Sequence, residues 1–187
     1  LVAPDELSGD LLLMESRTSV RRITCHLLEQ GRTLPGFIGD ISYAQSNRER
    51  YEGFCQALAD AGKKVDSSLC LTTPLGIDTY REEIDTFLSS LSRMPDAFVC
   101  ASDYVACILM QLLEKRGLRV PEDVAVSGFD NNTEDLLAEH LTTVQVFNEE
   151  LGARLALQIL YRIKYPNTPH EITYLGTNVL YRDSTGD

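Results

Sequence analysis

Two side chains far apart in the sequence carry the most suggestive chemistry. One is Arg50, in the run Arg50-Tyr-Glu-Gly-Phe54. The other is Asp130, in the run Ser127-Gly-Phe-Asp-Asn131. A guanidinium offers a rigid planar fork of donors, and a carboxylate accepts from two hydroxyls at once. Converging on one crevice, the two suit vicinal hydroxyls on a sugar or a similar polyol. The same residues also admit plainer readings: an ion pair between them, or an arginine on a solvated helix face. Further polar groups fall at predicted strand ends, namely Asp40 with Ser42 and Tyr43, and Ser102-Asp103.

The search for catalytic chemistry is largely negative. No G-x-S-x-G elbow surrounds Ser127. The three histidines, His26, His140 and His170, are scattered. A Ser102–His140–Asp130 set can be drawn, but nothing in the spacing demands it. There is no HExxH, no EF-hand loop and no clustered His/Cys set, so no metal site is expected. Gly36-x-x-Gly39 lacks the Lys-Ser/Thr ending of a phosphate loop. Asn131-Asn-Thr133 matches a glycosylation sequon, a tripeptide common by chance. No catalytic residue and no cofactor is expected.

Asp130 can face a crevice only if a strand ends just before it. In open α/β sheets, ligands bind outside the carboxyl ends of the strands. The stretch Val120–Asn132 has this form: Pro121 leads in, Val124-Ala-Val126 is a short apolar run, and Gly128-Phe129 delivers Asp130. The preceding chain alternates strand and helix patterns. Leu11–Met14 is an apolar run that fits a strand or a helix start. A helix from Thr18 places Val20, Ile23, Leu27 and Leu28 on one face and stops at Gly31. Leu34–Gly39 reads as a buried strand, Asp40–Asn47 as a loop, and Arg48–Ala61 as an amphipathic helix with Tyr51, Phe54, Cys55 and Leu58 at i, i+3, i+4, i+7.

A strand at Ser68–Leu71, a helix at Thr79–Arg93 and a strand at Ala97–Ala101 follow. Asp103 is placed to cap a helix at Tyr104–Arg116. This order predicts a parallel sheet with right-handed crossovers, and the continuous apolar runs predict one covered on both faces. After Asp130 come a β-rich segment at Leu141–Val146, a helix at Glu149–Tyr165 stopped by Pro166, and two short closing strands at Ile172–Leu175 and Asn178–Tyr181.

The 187 residues, 43% hydrophobic and 24% charged, suit one medium domain or two small lobes. No apolar run is long enough to span a bilayer. A net charge of −11 argues against this segment gripping nucleic acid by itself. The start Leu1-Val-Ala-Pro-Asp shows no signal peptide, and the missing initiator Met suggests a cut chain. Five cysteines without metal-type spacing read as free thiols in a reducing compartment.

Five motifs then occur in order: Arg50-Tyr-Glu-Gly-Phe54; Pro95-Asp-Ala-Phe-Val-Cys-Ala-Ser-Asp103; Gly117-Leu-Arg-Val-Pro-Glu-Asp-Val-Ala-Val-Ser-Gly-Phe-Asp-Asn131; Leu141-Thr-Thr-Val144 with Gly152; and Tyr181-Arg-Asp-Ser-Thr185. From about Val20 to Thr185 the chain resembles the effector-binding domain of the lactose-repressor (LacI/GalR) family of bacterial transcription regulators. The resemblance implies an α/β fold of the type I periplasmic-binding-protein kind, with parallel sheets flanked by helices and an effector held in the cleft between two lobes.

It further implies a partial N-terminal lobe from residues 1–34 and 146–165, and a complete C-terminal lobe from 35–145 and 166–187. The implied partners are a small-molecule effector, a second copy in a homodimer, and operator DNA reached only through a helix-turn-helix domain absent from this chain. No membrane partner is implied, and the location is cytoplasmic.

By resemblance, Arg50 and Asp130 contact the effector. Ser102 stands where the family usually has an Asn that reaches the ligand. Tyr43 and Thr73 lie in loops that face the pocket in relatives, and Asn148 lies near the polar position past the Leu-Thr-Thr-Val turn. Replacing Arg50 or Asp130 with alanine is then expected to abolish effector binding with little effect on thermal stability. An exported sugar-binding receptor of the same fold is the alternative reading, and a doubly wound hydrolase a more distant one.

Overall fold

The computed structural model describes residues 9–76, 78–132 and 139–186. The chain start and Thr133 of the sequon therefore lie outside the described residues. The centre is a four-stranded parallel sheet in the order β3-β2-β4-β5, built from β2 (Pro35–Ile38), β3 (Cys70–Leu71), β4 (Ala97–Cys100) and β5 (Ala125–Ser127). Every residue of β2, β4 and β5 is buried. Strands buried on both faces need apolar side chains in both directions, which explains the unbroken apolar runs.

The two faces are covered by different helices. Ile38, Phe98, Cys100 and Val126 point into one core with α3 (Tyr80–Ser90) and α4 (Asp103–Lys115). Phe37, Ala97, Val99 and Ala125 point into the other with α1 (Arg17–Glu29) and α2 (Gln45–Asp60). The alternate registers of β2 and β4 therefore feed opposite cores, as the two-residue period of a strand requires.

Helices α1 and α2 approach closely at Gly53. A β-carbon there would lie 2.2 Å from the Arg17 carbonyl oxygen. Gly31, Gly62 and Gly117 close α1, α2 and α4 with positive φ angles of 90°, 68° and 73°, a conformation that suits glycine.

The remaining elements form two smaller pairs. β1 (Leu11–Met14) runs parallel to β7 (Ile172–Leu175), and α5 (Asn148–Lys164) packs on β1. Asp10 ties this unit together. It accepts from Arg162 Nη2 at 2.5 Å, Gln158 Nε2 at 3.0 Å and the Glu171 amide at 2.9 Å, and these bonds hold its carboxyl well below the usual range. β6 (Thr143–Gln145) pairs antiparallel with β8 (Asn178–Leu180), while single bridges join the same segment to Ser127 and Asp130.

The chain passes three times between the β1–β7–α5 unit and the larger sheet, after β1, before α5 and after β7. Ser19 Oγ lies 2.8 Å from Thr177 Oγ1, whose hydroxyl also donates to the Glu15 carbonyl at 3.0 Å, so two of the crossings are bonded together.

The packing differs from the boundaries expected from sequence at two places. Val20, Ile23 and Leu27 of α1 are buried with Phe37 and Phe54, so α1 belongs with the four-stranded sheet rather than with a unit ending at residue 34. β7 pairs with β1, so the 166–187 segment is shared between the two units. The crossings, not the helix ends, set the divisions.

One helix stands apart. No residue of α5 is buried, and Leu157, Ile159, Leu160 and Ile163 are all more than half exposed.

Candidate functional site

A cleft of about 750 Å³ opens where the two units meet. Its walls come from β1, the first half of α2, the turn after β5 and the start of α5, and they include Arg50, Asp130 and Asn148. Arg50 is placed by α2, a helix that buries Phe54, Ala57 and Leu58 and so directs its N-terminal half at the sheet's carboxyl edge. Asp130 is placed by the segment that follows β5, where the Gly128 amide donates to the Thr142 carbonyl at 2.8 Å before the chain turns. A β-carbon on Gly128 would meet Asp103 Oδ1 at 2.2 Å, so the turn carries its carboxylate against a closely packed backbone.

Arg50 is buried, only 8% exposed. It donates from Nη1 to the Ala101 carbonyl at 2.5 Å and from Nη2 to Asp130 Oδ1 at 3.3 Å, and it lies 3.7 Å over the Phe129 ring. Burial draws its pKa below the usual arginine value, against the opposing pull of Asp130 and Asp103. Asp130 moves the other way. Burial raises its carboxyl to about 6, Arg50 pulls it down, and nearby Asp103 pushes it further up.

Asp130 also has a φ of 113°, and Asn131 one of 51°. Such angles cost a non-glycine residue about 1–3 kcal/mol and gather at sites where geometry is held for a purpose. The strained turn is over-determined by its neighbours. Asp103 accepts from the Asn132 amide at 2.8 Å and from Thr143 Oγ1 at 2.6 Å, and its own amide donates to the Phe129 carbonyl at 2.8 Å. Burial raises the Asp103 pKa, and these bonds oppose the rise.

The expected residues separate into two groups. Arg50, Asp130 and Asn148 share the cleft. Ser102, Tyr43 and Thr73 do not line it. Ser102 is the N-cap of α4, its hydroxyl accepting from the Val105 amide at 3.4 Å, so the capping role expected of Asp103 falls one residue earlier. Tyr43 is 60% exposed and Thr73 is exposed in its loop.

Asp40 is engaged in organising that same edge. It accepts from the Ser42 amide and hydroxyl, the Tyr43 amide and the Leu75 amide. Burial alone would raise its pKa, yet these bonds hold it below the ordinary value.

Gln45, Ser46 and Glu49 enter the cleft without having been expected there. Ser46 lies four residues before Arg50, so helical spacing alone would have placed both on one face. The Ser–His–Asp arrangement does not assemble: His140 pairs with Asp183 at 2.6 Å, Ser102 caps α4 and Asp130 pairs with Arg50. Among the described residues no group of His, Cys, Asp and Glu could hold a metal ion, and no helix is long and apolar enough to cross a membrane.

The profile of the periplasmic binding protein-like domain family matches residues 24–185. The HTH-type transcriptional regulator DegA of Bacillus subtilis is 35% identical over 149 residues, covering 79% of this chain and 43% of its own length. Among solved structures, a putative LacI-family transcriptional regulator from Sanguibacter keddieii superposes with a TM-score of 0.85 at 26% identity, covering all of this chain and 71% of the other. The transcriptional regulator CelR, in complex with cellobiose, gives a TM-score of 0.85 at 28% identity, covering 96% of this chain and 55% of its own.

This chain spans about half the length of the curated relatives it matches. Those relatives are transcriptional regulators rather than enzymes. The type I periplasmic-binding-protein fold, the ordered motifs and these likenesses agree: the chain belongs to the LacI family, as an effector-binding domain of its transcriptional regulators.

Proposed function

We propose that the cleft binds a small polyhydroxylated effector, a sugar or a close relative, with Arg50 and Asp130 as the groups that recognise its hydroxyls and Asn148 facing them from α5. The observation that carries this reading is the Arg50–Asp130 pair itself. A half-exposed carboxylate is held in a strained turn against a buried guanidinium, at the mouth of a cleft walled by both units. Structural likeness to a regulator bound to cellobiose supports the sugar class.

A ligand held by both walls binds the closed arrangement better than the open one and shifts the population toward closure. In the full regulator, we infer, that closure reaches operator DNA through a homodimer and a helix-turn-helix domain outside this chain. Tyr43, Thr73 and Ser102 would join the site only as the edge loops move toward the ligand.

The cysteines, of which Cys100 and Cys107 are buried thiols, suit a reducing compartment and hence a cytoplasmic regulator over an exported receptor. The test is a thermal-shift screen with sugars, sugar phosphates and nucleobases, followed by calorimetry. A sugar should raise the melting temperature in a dose-dependent way. A shift given by nucleobases alone would refute the sugar assignment.

A further inference from the structure

Glu49 takes no part in the Arg50–Asp130 pair, yet it precedes Arg50 on α2 and lines the same cleft. It is only 7% exposed. A carboxylate buried this deeply is normally matched by an opposite charge, because an uncompensated charge is costly away from water. Glu49 has neutral neighbours instead. Gln45 Nε2 donates to its Oε1 at 3.3 Å, and the Tyr174 hydroxyl of β7 lies against it. The cations nearby are engaged elsewhere, Arg17 with Glu52 and Arg50 with Asp130. Among the described residues Glu49 forms no ion pair.

Arg50 and Glu49 serve different ends of the cleft. Consecutive residues on a helix point about 100° apart around its axis. Arg50 turns to the Ala101 carbonyl and Asp130, while Glu49 turns to Tyr174 of β7. The cleft therefore has a matched pair at one end and an unmatched carboxylate at the other. Arg50 is also the one cation among the described residues that line it, against the carboxylates of Glu49 and Asp130. Its Nη1 and Nη2 already donate, and its Nε is shut off from solvent. An anionic ligand would meet two carboxylates and no unmatched positive charge. A cationic one would supply what Glu49 lacks.

We propose that Glu49 selects an effector bearing a protonated amine, an amino sugar or a similar amino polyol, over neutral sugars and sugar phosphates. The proposal rests on the polyol reading above. Hydroxyls on one side of the ligand meet Arg50 and Asp130, and the ammonium group donates to Glu49. A carboxylate has acceptor sites beyond those that Gln45 and Tyr174 use. Hydrogen bonds between ionised groups are about twice as strong as neutral ones. The burial of Glu49 keeps such a bond from being screened as a surface pair would be.

The test is calorimetry at neutral pH with matched probes, on wild type and Glu49→Gln. The probes are glucose, glucosamine, N-acetylglucosamine and glucose 6-phosphate, and the corresponding galactose and mannose series. Exchanging a hydroxyl for an amine barely changes shape, so each series isolates charge. In the series that binds, the amine should bind roughly 10-fold more tightly than its parent sugar, and the N-acetyl and phosphate forms no better than the parent. Glu49→Gln keeps the shape and an oxygen for Gln45 to donate to, and it should erase the amine's advantage. The wild-type ranking decides the matter even where the variant folds poorly. A parent sugar or phosphate that binds as tightly as the amine would overturn the proposal and leave the sugar reading standing. An advantage that survives Glu49→Gln would do the same. If no member of any series binds, both readings fall together.

Discussion

Asp130→Asn separates the two roles that the Asp130 carboxylate plays. The exchange keeps the side chain's shape and leaves an oxygen to accept from Arg50 Nη2, now 3.3 Å from Oδ1. Asparagine also tolerates a positive φ, so the 113° turn is not disturbed. What is lost is the charge. A hydrogen bond to a charged group is worth about 1.5–3 kcal/mol, so sugar affinity should fall roughly 10- to 150-fold.

Stability should move the other way. Burial raises the folded-state pKa of Asp130 to about 6, above the ordinary 3.8, so the folded protein holds this proton more tightly than the unfolded chain. The contribution of Asp130 to stability is therefore full below about pH 3.8, falls as pH rises, and is lost above about 6. Asparagine never ionises and escapes that loss. Asp130→Asn should melt at or above the wild-type temperature at pH 7.5, and the difference should shrink toward pH 4. Calorimetry with the sugar found in the screen and melting curves at pH 4, 5, 6 and 7.5 measure both arms. Wild-type affinity in the variant would remove the carboxylate from the site. A lower melting temperature at pH 7.5 would show that the Arg50 pair outweighs the cost of burial.

The same pKa predicts that wild-type sugar affinity weakens about tenfold between pH 7.5 and pH 5, as Asp130 takes up its proton; a flat titration would contradict it. Arg50→Ala should cost stability as well as binding. It strips the Ala101 carbonyl, the Phe129 face and Asp130 of their partner, a loss of about 2–3 kcal/mol or ~4–12 °C in melting temperature. The sequence alone leads to the opposite expectation, of little effect on the fold, and the burial of Arg50 is what changes it. Gly53→Ala puts a methyl group 2.2 Å from the Arg17 carbonyl and should destabilise by about 1–3 kcal/mol in thermal melts, despite alanine's better helix propensity.

Much of the architecture was legible because it rests on local pattern. The helical stripe of Val20, Ile23 and Leu27, and the apolar runs at Ala97 and Val124, each named an element and its buried side. Which unit an element joins was not legible. Chain order places α1 next to β1, but burial places it against Phe37 and Phe54. At the site, the chemical types of Arg50 and Asp130 were enough to single them out, and the fold brings them within 3.3 Å.

Gln45 and Ser46 escaped because α2 starts at Gln45 behind Ala44, which offers no side-chain cap, whereas Glu49 lay inside the expected helix and was passed over. Nothing local announced the extra turn. Ser102 was expected at the ligand because its neighbours follow a family pattern. A hydroxyl this short bonds the nearest free amide of α4 instead.

The exposed face of α5 has a thermodynamic consequence. Leu157, Ile159, Leu160 and Ile163 are apolar, and water covers more than half of each. Any surface that binds this face binds the folded chain and not the unfolded one, and so stabilises the fold by mass action. Wherever such a surface is bound, the melting temperature of this domain becomes a function of that surface's concentration as well as of the sequence.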